Sequence, residues 1–575
     1  MSSVATKTLR RYQVGGLPLI ESILRKMHFR EILLESISDS RREAFPSVDM
    51  LTLLVINLTV AKDPLYELAQ WVESLDLKAI GYPVRPAIRF TDDRFARALD
   101  KLYEADRASL TTRLVVSSLK TFDVQFTRIH SDSTTVKAFG RIPGRTRNGL
   151  ELRHGHSKDH RPDLRQLVFQ LSISHDGAVP VYHRVLPGNC NDETTHIETW
   201  DRLCEIHGAP DFLYVADCKL CTRQQLRHIV SHGGCAITIL PQNRTEVRSF
   251  KQALREAPIA KQIIWRRPKP SEESQTESFA LFEGSYQMDQ GYPIYWYSSS
   301  EKRQRDRNSR QQRLEAAEAA LSDLLPKLNR CRLKTRAAIR RAAMAILQKY
   351  QVEPFLNLHI ETHIERRPHR CRGRPGKYPH YQLRRHTSYS LDWSRNSEAL
   401  LREARVDGVF PLMCTDPAIS PKEILQAYKF QPRLEKRFAQ FKSIHRGAPL
   451  LFKKISRVEA NMFLFFISLM VQALLERLVR QRLTQRKHPP LKLYPEDRDA
   501  PHPTTSQILK TFDGLSSYVI TQNERPVENY RDELNETHKA VLKLLDIDEN
   551  TFWNSQRESR KITKLDPSQS AECRL

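Results

Sequence analysis

Acidic residues are in short supply: Asp and Glu total 67 against 92 Lys and Arg in 575 residues, a formal charge of +25 and a sequence pI near 9.7. Such a surface attracts phosphate backbones at long range, so a polyanionic partner is expected, nucleic acid before membrane. A membrane-length apolar run is missing as well. The longest uncharged one, Met462–Leu475, falls short of the ~20 residues that cross a bilayer, which predicts a buried helix and no membrane partner. The start, Met1–Arg10, is polar and basic with no apolar stretch, so no secretory signal is expected and a cytoplasmic location is. Paired cysteines are lacking too. Nine Cys are scattered and the only close pair is Cys218-Lys-Leu-Cys221; a structural zinc commonly needs a second such pair, so ordinary buried thiols are expected. His154, His156 and His160 cluster, but no Cys or acid completes a familiar zinc spacing around them.

What is present suggests roughly two to four domains by length. Residues 12 to about 120 carry helical periodicity: Leu17, Ile20, Ile23 and Leu24, then Leu51, Leu54, Val55 and Leu58, then Phe95, Leu99, Leu102 and Tyr103. This predicts an N-terminal helical domain over 1–122, either a packing domain or one that binds DNA ends. From Phe126 the pattern becomes strand-like. Phe126–Val136 carries Asp132, and Leu167–Ser174 and Val179–Val185 follow, joined at Asp176-Gly177, a hairpin signal. Asp192 can cap a helix with Ile197, Trp200, Leu203 and Cys204 inside and Gly208 at its end. Phe212–Ala216 then reads as a buried strand ending at Asp217, Thr222 caps a second helix, and Cys235–Leu240 is another buried strand. Three antiparallel strands, helix, strand, helix, strand predict an α/β fold, a mixed sheet covered by helices on both faces.

About 165 residues separate that last strand from the next helix expected in the core. We read 123–242 with 406–482 as the core, 243–405 as an insertion, and 483–575 as a Pro-rich linker and polar tail. Within the insertion Glu301–Tyr350 is charged and helical, with Leu314, Ala317, Leu321, Leu324 and Leu328 at heptad spacing and a break at Pro326. It is either a basic arm along DNA or a solvated helical hairpin. Arg372-Gly-Arg374-Pro375 has the form of a minor-groove hook, with a basic loop on phosphates as the simpler alternative.

In Tyr428–Ser443, Leu434, Phe438 and Phe441 recur at i, i+4 and i+7, an apolar stripe with Glu435 beside it and Pro432 near the helix start. Tyr428 and Lys442 would share the face of Glu435. Taken alone, Glu435 is a surface residue of an amphipathic helix. If the first and fourth strands are neighbours, however, Asp132 and Asp217 sit side by side and this helix can bring Glu435 opposite. Three acids without local counter-charge repel, which favours a hard divalent cation such as Mg²⁺ or Mn²⁺. Two such ions, about 3.5–4 Å apart, suit phosphoryl transfer.

These residues resemble the DDE transposases of bacterial insertion sequences, whose catalytic domain is RNase H-like; the likeness covers roughly 125–480. The first acid follows Ile129-His-Ser, the second ends Tyr214-Val-Ala, and the third lies in a phrase similar to Y-x2-R-x3-E-x6-K, carried by Tyr428, Glu435 and Lys442. Gln431 stands where that phrase has Arg, so one phosphate contact becomes an uncharged amide. His156–Leu164 and Pro187–His196 look like members with a long insertion before the catalytic Glu. The resemblance implies that Asp132, Asp217 and Glu435 hold two metals, that Tyr428, Gln431 and Lys442 position DNA, and that Lys158 and Arg161 touch it near the metals. It implies cleavage at inverted-repeat ends, strand transfer of 3′-hydroxyls into target DNA, and a homodimer on DNA. An inactive DNA-binding relative acting as a repressor, and an RNase H-like nuclease without strand transfer, are the alternatives.

Overall fold

The computed structural model describes residues 7–39, 45–82, 89–138, 144–155, 161, 163–190, 195–268, 276–370, 381–444, 454–494, 496, 498–523 and 525–554. The chain divides into two compact units: unit 1 is Met1–Ala236 with Ala427–Leu575, and unit 2 is Ile237–Gln426.

Unit 1 opens on strand β1 (Lys7–Gln13), followed by helices Leu17–Lys26, Phe29–Ser36, Ser47–Thr59, Leu68–Glu73, Asp92–Glu104 and Arg107–Thr121. The three apolar stripes expected here do lie on helices. Ser47–Thr59 is buried on every side, so it is a core helix and cannot lie in a DNA groove. Asp106 caps Arg107–Thr121, accepting from the N–H groups of Ala108 and Ser109, each at 3.1 Å. Next come β2 (Arg128–Ala138), β3 (Arg165–Ser174), β4 (Pro180–Pro187) and β5 (Leu213–Ala216), in the order β4-β3-β2-β5. The first three are antiparallel and β5 runs parallel to β2. The β3–β4 turn falls at Asp176-Gly177, where Gly177 has φ +78° and a Cβ would strike the Arg477 side chain at 2.8 Å. Helix His196–His207 ends at Gly208 in the left-handed region, and Thr222 caps Arg223–Ser231, both as the sequence predicts. Asp192 lies outside the described residues.

Unit 2 begins within β6 (Cys235–Ile239) and continues with β7 (Lys261–Pro268), β8 (Thr276–Phe282), β9 (Tyr286–Gln287), β10 (Pro293–Ser299), β11 (Leu356–Arg370), β12 (Tyr381–Arg395) and β13 (Val409–Cys414). Its sheet order is β6-β13-β10-β8-β7, with β9 on β10, while β11 and β12 form a separate two-stranded ribbon. The insertion is therefore more than the basic helical arm expected of it. Helices Ser300–Ser322 and Arg336–Tyr350 do form a hairpin, with Leu314, Ala317 and Leu321 buried with Ile339, Ala343 and Leu347. Pro326 sits in the short 3₁₀ turn between them. The root of the ribbon, including Leu356, Leu358, Ile360 and Leu391, packs on this hairpin.

The chain returns to unit 1 with helix Gln431–Ile444 and the 31-residue Ile455–Gln485. The latter is long and apolar enough to cross a membrane, but its apolar window is wholly buried, packed on Ser47–Thr59, Asp92–Glu104 and β4. Much of the stretch read as linker and tail instead folds, up to helix Glu549–Trp553; its end, 555–575, lies outside the described residues. After the short pair β14 (Leu491–Lys492) and β15 (Asp499–Ala500), β16 (Ser516–Gln522) and β17 (Arg525–Arg531) join β1 in the order β1-β16-β17. Helix Thr505–Phe512 carries a Thr504–Gln507 capping box. The polar composition of this segment hid strands whose stability comes from backbone pairing with a partner some 500 positions away in the chain.

Candidate active site

The site is set by strand register. β2 and β5 pair in parallel with His130 opposite Val215 and Ser131 opposite Ala216. Continuing one step sets Asp132 beside Asp217, the first residue after β5, whose backbone is still extended (φ −70°, ψ −174°). Opposed residues of neighbouring strands share a face and the side-chain period is two, so Asp132, His130, Asp217 and Val215 share one side of the sheet. The sequence-level condition that the first and fourth strands be neighbours is met. Oδ1 of Asp217 accepts from the Lys219 N–H at 3.0 Å, and Oδ1 of Asp132 from the Ser133 N–H at 2.7 Å.

Helix Gln431–Ile444 covers that same face. Phe441 stacks on Phe169 of β3 with ring centroids 4.6 Å apart, and Phe430, just before the helix, lies 4.8 Å from the His130 ring. Leu434, Phe438 and Phe441 are buried, as the stripe predicts. Arg437, which sequence reasoning missed, secures the helix. Its guanidinium donates to the carbonyls of Ala178 and Gly177, both at 3.0 Å, and pairs with Glu476 at 3.0 Å. A signal existed, because Arg437 lies three residues after Leu434, within the apolar stripe.

Tyr428 is half-buried and its phenol is pushed above the ordinary range, by desolvation first and then by the negative charges of nearby acids, Asp217, Asp132 and Glu435 among them. The phenol therefore stays a neutral hydrogen-bond donor at neutral pH, with the field of all three acids on it. Glu435 itself is exposed. Among the described residues no group of three His, Cys, Asp or Glu stands close enough to hold a metal ion. Two adjacent carboxylates suit one hard divalent cation; a three-acid cage is not closed.

Residues 9–116 match a family model described as a domain of unknown function, DUF4277. That segment contains none of the three acids. No curated protein matches the chain. Among solved structures, one described as "Cryo-EM structure of piggyBac transposase synaptic complex with hairpin DNA (SNHP)" aligns at 11% identity and a TM-score of 0.24, over 49% of this chain and 58% of that chain. The match thus spans less than two thirds of the relative's length.

The remaining expected residues are dispersed. Lys442 is half-buried in the last turn of its helix. Gln431 is also half-buried, and its Oε1 is enclosed without a hydrogen-bond partner. Arg161 is exposed and forms a bidentate pair with Asp163 at 2.8 and 2.7 Å, holding that carboxyl down at about 2. Lys158, Arg372 and Arg374 lie outside the described residues, as do His156 and His160. Cys218 is half-buried and Cys221 buried, and they are not joined in a disulfide. Glu459, a further acid on the Ile455–Gln485 helix, pairs with Arg107 at 2.6 Å and accepts from the Asn148 amide at 3.1 Å, which makes it structural. His130 also escaped the sequence reading. Fully buried with neither ring nitrogen partnered, it is driven down to about 3 by desolvation, with His175 and Arg128 adding to the shift.

Proposed function

We propose that this chain is a DNA transposase acting at the inverted-repeat ends of its own element, cutting there and joining the freed 3′-hydroxyls to target DNA. The observation that carries the reading is the β2–β5 register, which puts the two acids of the DDE-like phrases side by side, beneath a helix bearing the third. Asp132 and Asp217 would hold Mg²⁺ or Mn²⁺, and Glu435 is the carboxylate assigned to complete a two-ion set. Such cations, when bound, activate the attacking hydroxyl and stabilise the leaving oxygen. Tyr428 donates its hydroxyl to a phosphate oxygen beside the cut and Lys442 neutralises backbone charge. Gln431 offers an uncharged amide there. Lys158 and Arg161 contact DNA near the cut, Arg161 exchanging Asp163 for phosphate, and Arg372 and Arg374 contact DNA as well. Two ends must be held together, so the active species is a homodimer on DNA, in the cytoplasm.

The test uses duplexes carrying the DNA immediately outside the gene, with Mg²⁺ present. Wild type should nick the ends and give strand-transfer products. Asp132→Ala, Asp217→Ala and Glu435→Ala should each reduce cutting to background while still binding. Retained Mg²⁺-dependent cutting by the Asp217→Ala protein would sink the assignment. The exposure of Glu435 favours one second reading, a DNA-binding relative that no longer cuts and acts as a repressor; end binding by wild type with no cleavage under any metal would select it. Cutting without joined products would instead select an RNase H-like nuclease.

A further inference from the structure

The β11–β12 ribbon runs in unbroken antiparallel register from Leu356–Arg395 to Arg370–Tyr381. Its root belongs to the core of unit 2, but from Ile364–Thr387 outward every pair joins two exposed or half-buried residues among those whose side chains are described. That outer half spans seven register pairs, about 24 Å at ~3.4 Å per residue. A two-stranded ribbon with no core beneath it is marginal in water, so its side chains should compensate. They do the reverse.

Arg366 is directly opposite Arg385, and Arg367 directly opposite Arg384. Like charges facing each other across a strand pair are destabilising. Arg367 is relieved by Glu365 at 2.8 Å, whereas Arg366, Arg384 and Arg385 have no acidic partner among the described residues. The two faces also differ. One carries the Arg366–Arg385 pair together with Ile364, Pro368, Tyr381 and Leu383, and on it Ile364, Tyr381 and Leu383 are 53, 59 and 67% exposed. The other carries Glu365, Arg367, His369, Gln382, Arg384 and His386, with no large apolar group. An exposed apolar strip flanked by an unneutralised arginine pair is a surface awaiting a partner that supplies both negative charge and apolar contact.

We propose that this apolar and arginine face enters the major groove of duplex DNA. A groove about 12 Å wide admits a two-stranded ribbon; guanidinium groups reach guanine edges or phosphates, and aliphatic side chains meet thymine methyls. The opposite face stays toward solvent. A-form RNA is a poor alternative because its deep, narrow major groove excludes such a ribbon.

The inference deepens the reading of DNA as substrate, and the two fail separately. Affinity of the full chain for a mixed-sequence duplex is measured in EDTA, where no cutting occurs, across a salt series. Arg366→Gln with Arg385→Gln should weaken binding by roughly 30-fold or more and lower the salt slope by roughly 2, while Arg367→Gln with Arg384→Gln changes affinity by less than about threefold. Unchanged affinity in the first variant, or equal loss in both, overturns the proposal, as does equal wild-type affinity for duplex RNA. Amide exchange across the β11–β12 ladder checks that each variant keeps its register. If the ribbon variant binds like wild type while wild type cuts its ends, only the ribbon assignment is lost. If the variant loses binding while wild type never cuts, the ribbon stands and the transposase reading falls.

Discussion

Arg437, on the helix over the acid-bearing strands, is buried and paired with Glu476 at 3.0 Å. Arg385, on the outer ribbon of unit 2, is exposed and faces Arg366 across the strands. Both count equally toward the +25 of the chain. The first has exchanged water for two carbonyls and a carboxylate, so its charge is neutralised within the fold and offers nothing to a partner. The second is held against another cation by the register, and a partner is what would neutralise it. Net charge therefore predicts a polyanion but cannot say which arginines meet it; burial and register do. Arg477 and Arg310 are of the first kind, paired with Asp176 and Asp407 respectively, both at 2.6 Å.

The largest expected effect comes from breaking the buried member of this comparison. Arg437→Leu leaves Glu476 enclosed with fewer partners and two carbonyls without their donor, and should destabilise unit 1 by about 3–5 kcal/mol. Adding Glu476→Gln to Arg437→Leu should restore part of that loss, since a neutral amide no longer leaves a buried charge uncompensated and can still accept from the Thr505 N–H. Urea unfolding of the two variants checks it. Equal destabilisation by the single and double changes would mean that the carbonyl bonds, not the ion pair, hold the helix.

A smaller effect separates buried neutral groups from buried charged ones. His130 and His183 are both driven down to about 3, by desolvation first, against an unfolded value near 6.5. Between those values the unfolded chain binds more protons, so stability is full above about pH 6.5 and is lost as pH falls toward 3. Between pH 7.5 and pH 5 each should contribute a loss of about 2 kcal/mol. Urea midpoints for wild type and His130→Leu at the two pH values check this: the variant should lose less on acidification, and an identical loss would remove His130 from the acid-sensitive set.

The core of unit 1 was largely legible because its signals are local. Phe126–Val136 and Phe212–Ala216 are short runs of branched and aromatic residues, each bearing its acid at a definable place, and the observed β2 and β5 overlap them closely. The Leu434, Phe438 and Phe441 stripe was readable for the same reason. What was not readable depends on distant pairing or on burial of polar groups. β1, Lys-Thr-Leu-Arg-Arg-Tyr-Gln, is almost wholly exposed and shows no alternation, because its backbone partner β16, not a buried face, makes it a strand. β11 and β12 carry so many His and Arg side chains that composition suggests a loop; only the register discloses a ribbon. His130 was invisible because a lone His two residues before an acid gives no sign of being enclosed.

The smallest expected effect tests the exposed member of the comparison where no DNA is present. If Arg366 and Arg385 repel in the free protein, Arg385→Gln should tighten the outer ribbon by about 0.2–1 kcal/mol, the scale of one cross-strand pair. The whole-chain unfolding midpoint should not respond, because the outer ribbon adds little to the core of unit 2. Slower amide exchange from Ile364 to Arg367 and from Arg384 to Thr387, with Leu356–Ile360 unchanged, is the expected signature, and it should shrink in high salt as the repulsion is screened. A stabilised ribbon combined with weakened DNA binding in the Arg366 and Arg385 variant would have opposite signs in the two assays. A purely structural role for these arginines gives the same sign in both.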